Sequence, residues 1–118
     1  MVISVKLNLL VNRMSEPVIL LTTWPDEASA KQQAEIWLNK NLVACVNILP
    51  RMTSLYKWKG EMQSGTEYQL LLKTSTHRLP ALQQAILEAH PYECPEILHL
   101  PLTGGYVEYL NWIKGNTE

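Results

Sequence analysis

Pro91-Tyr92-Glu93-Cys94-Pro95-Glu96, read with Ala44-Cys45-Val46-Asn47 half a chain earlier, decides how the rest of the sequence folds. Two prolines, an aromatic ring, two carboxylates and a thiol in six residues are poor material for a helix interior. Each proline lacks an amide hydrogen and holds the residue before it extended. The segment reads as a stiff, extended lead-in to a strand, with its side chains held in fixed directions.

Upstream, Val18 to Leu21 is a continuous apolar run ending in Thr22 and Thr23, the pattern of a strand buried on both faces. Trp24-Pro25 ends it. Asp26 is a good N-cap, and Ala30, Ala34, Trp37 and Leu38 recur at helical spacing to about Asn41. Ala44 to Ile48 reads as a second strand, with Pro50 at a bulge or bend before Ser54 to Trp58 resumes it. Ser54, Tyr56 and Trp58 then share one face, Leu55 and Lys57 the other. Lys59 to Thr66, with Gly60 and Gly65, reads as a hairpin connection, and Glu67 to Thr74 as the returning strand. A second helix is expected from Thr76 or His77, with Pro80 in its first turn and Leu79, Leu82, Ile86 and Ala89 as its buried stripe. Beyond Pro91 to Glu96, Ile97 to Leu102 is the last strand. Gly104-Gly105 leads into a short terminal helix with Tyr106, Tyr109, Leu110 and Ile113 on one face.

That order, β-α-β-β-α-β plus one helix, is an α+β pattern: the ferredoxin-like split βαβ arrangement, one antiparallel sheet with two helices on a single face. The hairpin of the second and third strands is long for so small a domain. Its outer half is expected to project past the helices and leave Tyr56, Trp58, Leu55 and Leu70 under-covered. Exposed apolar edges are normally paired or covered, and self-association is the simplest cover.

Composition agrees with one globular domain. Of 118 residues, 47% are apolar and 18% charged, enough for a core and too apolar for disorder. A net charge of −1 argues against nucleic acid, which needs clustered Lys and Arg; Lys57 and Lys59 beside Trp58 read as a solvated strand end. Cys45 and Cys94 form neither a disulfide framework nor a CxxC knuckle, and a reduced, cytoplasmic protein is expected. Met1 to Arg13 is interrupted by Lys6, Asn8 and Asn12, so neither a signal-peptide core nor a membrane span is expected. Residues 1–16 read as a loose extension, with Met14 an alternative start, and residues 17–118 as the domain.

The sequence resembles the CutA divalent-cation tolerance family from about Pro17 to Ile113. The resemblance rests on Pro25-Asp26-Glu27-Ala28, Ala44-Cys45-Val46-Asn47-Ile48-Leu49-Pro50, Ser54-Leu55-Tyr56-x-Trp58-x-Gly60, and Glu67 ahead of Lys73-Thr74. His90-Pro91-Tyr92-x-x-Pro95-Glu96 and Tyr109-Leu110-x-Trp112 complete it. It implies a homotrimer built by edge pairing of the long hairpins, similar in architecture to the P-II signalling proteins, and a role in tolerance of copper and other divalent cations. His90 is the ligand position the resemblance implies. A sulfur ligand sometimes stands at the end of the family's first strand, where this chain has Thr22, a poor substitute for a thiolate.

Soft Cu(I) favours sulfur, and Cu(II) accepts imidazole and carboxylate. Cys45, Cys94, His77, His90, His99, Met52, Met62, Glu67, Glu93 and Glu96 are the inventory, without the spacing of a dedicated site. His90 and Cys94 are the metal candidates, for copper or another divalent cation held weakly. His90 equally fits a helix C-terminal histidine bonded to a carbonyl, and Cys45 a small buried hydrophobe in a central strand. Cys45, Glu67, Lys73, Tyr92 and Glu96 are expected around an inter-subunit cleft, where Lys and carboxylate fix an interface or present a small-ligand site. No nucleophile elbow, Walker loop or dinucleotide fingerprint is present, so no enzymatic activity is expected. Two readings follow: a non-enzymatic trimer that binds metal weakly, or a signalling or scaffold module whose clefts take a small anionic ligand or a partner protein.

Overall fold

The computed structural model describes residues 15–118. The expected extension lies outside the described residues up to Met14. Ser15 and Glu16 are anchored: the Ser15 and Thr76 hydroxyls lie 3.2 Å apart, and the Glu16 amide donates to the Thr76 hydroxyl at 3.1 Å.

The chain runs β1 (Pro17–Trp24), α1 (Glu27–Asn39), β2 (Cys45–Ile48), β3 (Met52–Trp58), β4 (Glu61–Ser75), a 3₁₀ turn (Thr76–Arg78), α2 (Leu79–Ala89), β5 (Leu98–Pro101) and α3 (Val107–Gly115). All strand pairs are antiparallel, in the order β2-β4-β1-β5, with β3 also paired to β4. Asp26 caps α1 as expected, accepting from the Ser29 amide at 2.8 Å. Asn41, at φ 57, closes it, and the Leu42 amide reaches back to the Trp37 carbonyl.

One face of the sheet makes the core. Leu20 pairs with Leu72 and Thr22 with Leu70, all fully buried against Trp37 of α1 and Leu82 and Ile86 of α2. Leu70, expected to be under-covered, is buried because it lies inboard of the projecting hairpin, where β1 and β2 flank it. The other face carries Ile19, Leu21, Leu71 and Lys73, and α3 lies over part of it: Ser75 bonds Thr117, and Lys73 donates to the Tyr109 hydroxyl at 3.2 Å. The expected apolar stripe of α3 is only partly covered. Ile113 is buried, Leu110 half-buried, and Tyr106 and Tyr109 are exposed.

Pro50 sits at a bulge. Ile48 pairs with Leu70 and Met52 with Glu67, so Leu49, Pro50 and Arg51 face only Tyr68 and Gln69. The proline's missing amide suits a position that breaks the ladder. The hairpin turn is tighter than the glycine spacing suggested. Lys59 and Gly60, at φ 52 and 82, form a two-residue turn of the I′ kind between Trp58 and Glu61, and Gly65 lies within β4 opposite Ser54. From Met52 outward, β3 and β4 form a two-stranded arm. The described residues span 54 × 31 × 26 Å.

Candidate functional site

The arm, the end of the sheet and the segment from Pro91 to Glu96 enclose a cavity of about 850 Å³. The bulge composes one wall of it. Directly opposed residues share a face, so the extra residue puts Met52, Ser54, Tyr56 and Trp58 on the side of Glu67 and Gln69. If the same sequence continued the β2 register without a bulge, Thr53 would face Gly65 and Lys57 would face Glu61, and the arm would present its other face.

The second wall is the proline-flanked segment. It bends at residues 91–94 rather than running straight, and β5 starts at Leu98. His90 braces it. The His90 Nε2–H donates to the Thr23 carbonyl at 2.6 Å, and the Tyr92 amide donates to Nδ1 at 3.1 Å. This pair of bonds defines a neutral imidazole with both nitrogens engaged. The ring lies 4.3 Å from Trp24 and 4.7 Å from Tyr92, centroid to centroid, and Trp24 meets Trp37 edge-on at 5.7 Å. A run of rings thus joins the core to the cavity wall.

Uncharged donors hold the carboxylates. Thr23 donates its hydroxyl to Glu67 at 2.9 Å, and the Gln69 amide donates to both the Thr22 carbonyl and Glu96, each at 2.9 Å. Tyr92 faces Glu67. Burial first, then a hydrogen bond to Glu67 and that residue's charge, push the phenol up to about 12, so it remains a neutral donor across the physiological range.

Of the residues expected at a cleft, Glu67, Tyr92 and Glu96 line this cavity, as does the metal candidate Cys94. Cys45 and Lys73 are a register pair further along the same face. Lys73 stands six residues from Glu67 on β4, roughly 20 Å along a strand, and lies over the Tyr109 ring. Cys45 is half-buried on an edge strand, not in the sheet centre, and Cys94 is exposed; both are free thiols. Thr22 points into the core, and its buried hydroxyl has no partner among the described residues. His77 bonds Ser15 through Nδ1, and His99 bonds Gln83, both away from the cavity.

Among the described residues no three His, Cys, Asp or Glu side chains converge on a point where a metal ion fits. A ligand role for His90 requires displacing the Thr23 carbonyl or the Tyr92 amide. The donor set therefore does not fit a resident metal centre within one chain. Sequence reasoning missed Thr23 and Gln69 as carboxylate anchors; a lone Gln between Tyr68 and Leu70 was the available signal. Tyr56 and Trp58, expected as under-covered residues of the projecting hairpin, line the cavity as well.

An α+β protein with an antiparallel sheet, a projecting arm and a ligand-sized cleft at its base is the class these features define. Residues 18–116 match the family model described as CutA1 divalent ion tolerance protein, and the chain belongs to that family. It is 44% identical over 102 residues to the divalent-cation tolerance protein CutA of Thermus thermophilus, covering 86% of this chain and 98% of that protein. The solved Thermus structure superposes with a TM-score of 0.83 at 42% identity, covering 86% of this chain and 99% of that one. CutA1 from Oryza sativa gives a TM-score of 0.83 at 35% identity, covering 87% and 94%. CutA of Pyrococcus horikoshii, solved in the presence of 3 M guanidine hydrochloride, gives 0.80 at 31%, covering 86% and 99%.

Proposed function

We propose that this chain acts as a non-enzymatic, ferredoxin-like homotrimer in divalent-cation tolerance, in the manner of a P-II-type signalling module whose clefts take a small ligand. The observation that carries the reading is the arm. Its two strands expose Leu55 at 73%, Met62 at 75%, Tyr56 at 49% and Trp58 at 39%, and an isolated two-stranded hairpin is at best marginally stable in water. Pairing arms edge to edge covers that surface and places the cavity at a subunit boundary. Leu98 and Leu100 of β5 are also exposed, at 51% and 41%, which extends the apolar surface to the opposite sheet edge. Free thiols at Cys45 and Cys94 favour a reducing, cytoplasmic setting.

Sedimentation of the tag-free chain tests the assembly, and thermal shift across a metabolite panel without metal tests the cleft. A folded monomer at micromolar concentration removes the first; silence across the panel removes the second. The metal reading is weaker on geometry and rests on Cys94 beside Glu93 and Glu96, with His90 available only after rearrangement. Copper and zinc titrations test it: binding weaker than roughly millimolar, or unchanged in both His90→Ala and Cys94→Ser, removes it.

A further inference from the structure

We infer that the cleft takes a small organic ammonium ion, and neither an anion nor a bare metal cation. The inference rests on the cleft being a ligand site, and on the charges and rings that one chain contributes to it. Its first support is charge. Among the described residues Glu67, Glu93 and Glu96 line the cavity, and no Lys, Arg or His does. Glu67 and Glu96 are held by Thr23 and Gln69, which fix their positions without neutralising them. An anion entering at the base of this space meets like charge, and the nearest cation on the described walls is Lys59, out over the Trp58 ring.

The second support is the kind of cation. A metal ion needs donors converging within about 2–2.6 Å of one point, and no three acidic, thiol or imidazole side chains converge in that way among the described residues. The carboxylates instead share the cavity lining with aromatic rings: Tyr92 faces Glu67, and Tyr56 and Trp58 stand further out along the arm, where the Lys59 ammonium lies 5.8 Å from the Trp58 ring. Ring faces attract diffuse, weakly hydrated cations, and alkylammonium groups are the ligands such cages recognise. The volume, about 850 Å³, admits an organic molecule of drug size. Tyr92, kept neutral, presents a ring and a hydroxyl without adding a fourth negative charge. Both lines of the argument come from residues the bulge and the His90 brace bring together.

The experiment titrates the full, tag-free chain with tetramethylammonium chloride, following the side-chain amide resonances of Gln69, which lines the cavity and bonds Glu96, against potassium chloride, sodium acetate and zinc chloride. Saturable shifts with tetramethylammonium alone are expected, weakened about tenfold in Tyr92→Ala and in Glu67→Gln. Lys57→Ala, on the opposite face of β3, should leave the titration unchanged. Both Tyr92 and Lys57 are exposed, so these variants test binding without disturbing the core. Equal shifts with potassium chloride, or equal affinity in all variants, overturn the inference. Saturable binding of acetate, or zinc displacing tetramethylammonium at stoichiometric concentration, overturns the ligand class and leaves the cleft a ligand site. If all four salts are silent, the inference falls, and the metabolite panel separately decides whether the cleft binds anything.

Discussion

At the scale of single residues, His90 and Tyr92 govern the cleft wall. Replacing His90 by Ala leaves the Thr23 carbonyl without its donor and the Tyr92 amide without its acceptor. Denaturant unfolding should show a loss of about 1–3 kcal/mol. Tyr92 makes a sharper prediction. Its folded value lies above the ordinary 10.0, at about 12. The unfolded phenol therefore ionises first, and this group's contribution to stability is complete below pH 10 and is lost as pH rises toward 12. In an alkaline titration the phenolate absorbance of Tyr92, isolated by subtracting a Tyr92→Phe curve, should appear late. His77 acts in the opposite range. Burial, then Arg78, hold its imidazole below the usual 6.5. Stability from this group is present above pH 6.5 and declines as the pH falls below it, so His77→Gln should flatten the acid limb of the stability profile.

At the scale of elements, the bulge around Pro50 matters most, because it joins the phase of β2 to that of the arm, which the turn at Lys59-Gly60 sets. Deleting Arg51 removes the extra residue while Met52 keeps its place opposite Glu67 and Trp58 opposite Glu61, so Tyr56 and Trp58 stay on the cavity face. The arm should still form, with amide exchange protection retained between β3 and β4, and tetramethylammonium binding should persist. The turn is a second test: Gly60 at φ +82 is strained by any side chain, and Gly60→Ala should cost about 1 kcal/mol in thermal unfolding. Most elements were legible in the chain because their signals are local. Asp26 caps α1, Pro80 opens α2, and the apolar run from Val18 has no helical period. The turn at Lys59-Gly60 was less so, since Gly65 offered a competing signal and Lys seldom takes a positive φ. Glu67, Tyr92 and Glu96 were legible as a group. Their partners Thr23 and Gln69 were not, because a hydrogen bond across 44 residues leaves no trace in spacing.

At the scale of the whole molecule, assembly follows from how much apolar surface one chain leaves in water. The core beneath α1 and α2 is complete in the single chain, with Leu20, Leu70, Leu72, Leu82 and Ile86 fully buried. The arm and the β5 edge are not. Folding coupled to assembly makes the melting temperature rise with protein concentration. Leu55→Asp separates the alternatives. In a lone chain this exposed position should tolerate the change within about 0.5 kcal/mol. On a shared arm it buries a charge against a neighbour, and the trimer should dissociate at concentrations where the parent remains intact. Native mass spectrometry of the tag-free chain at micromolar concentration tests the central claim most directly. A species of three chains is expected; a folded single chain with its arm bare to solvent would contradict assembly through the arm.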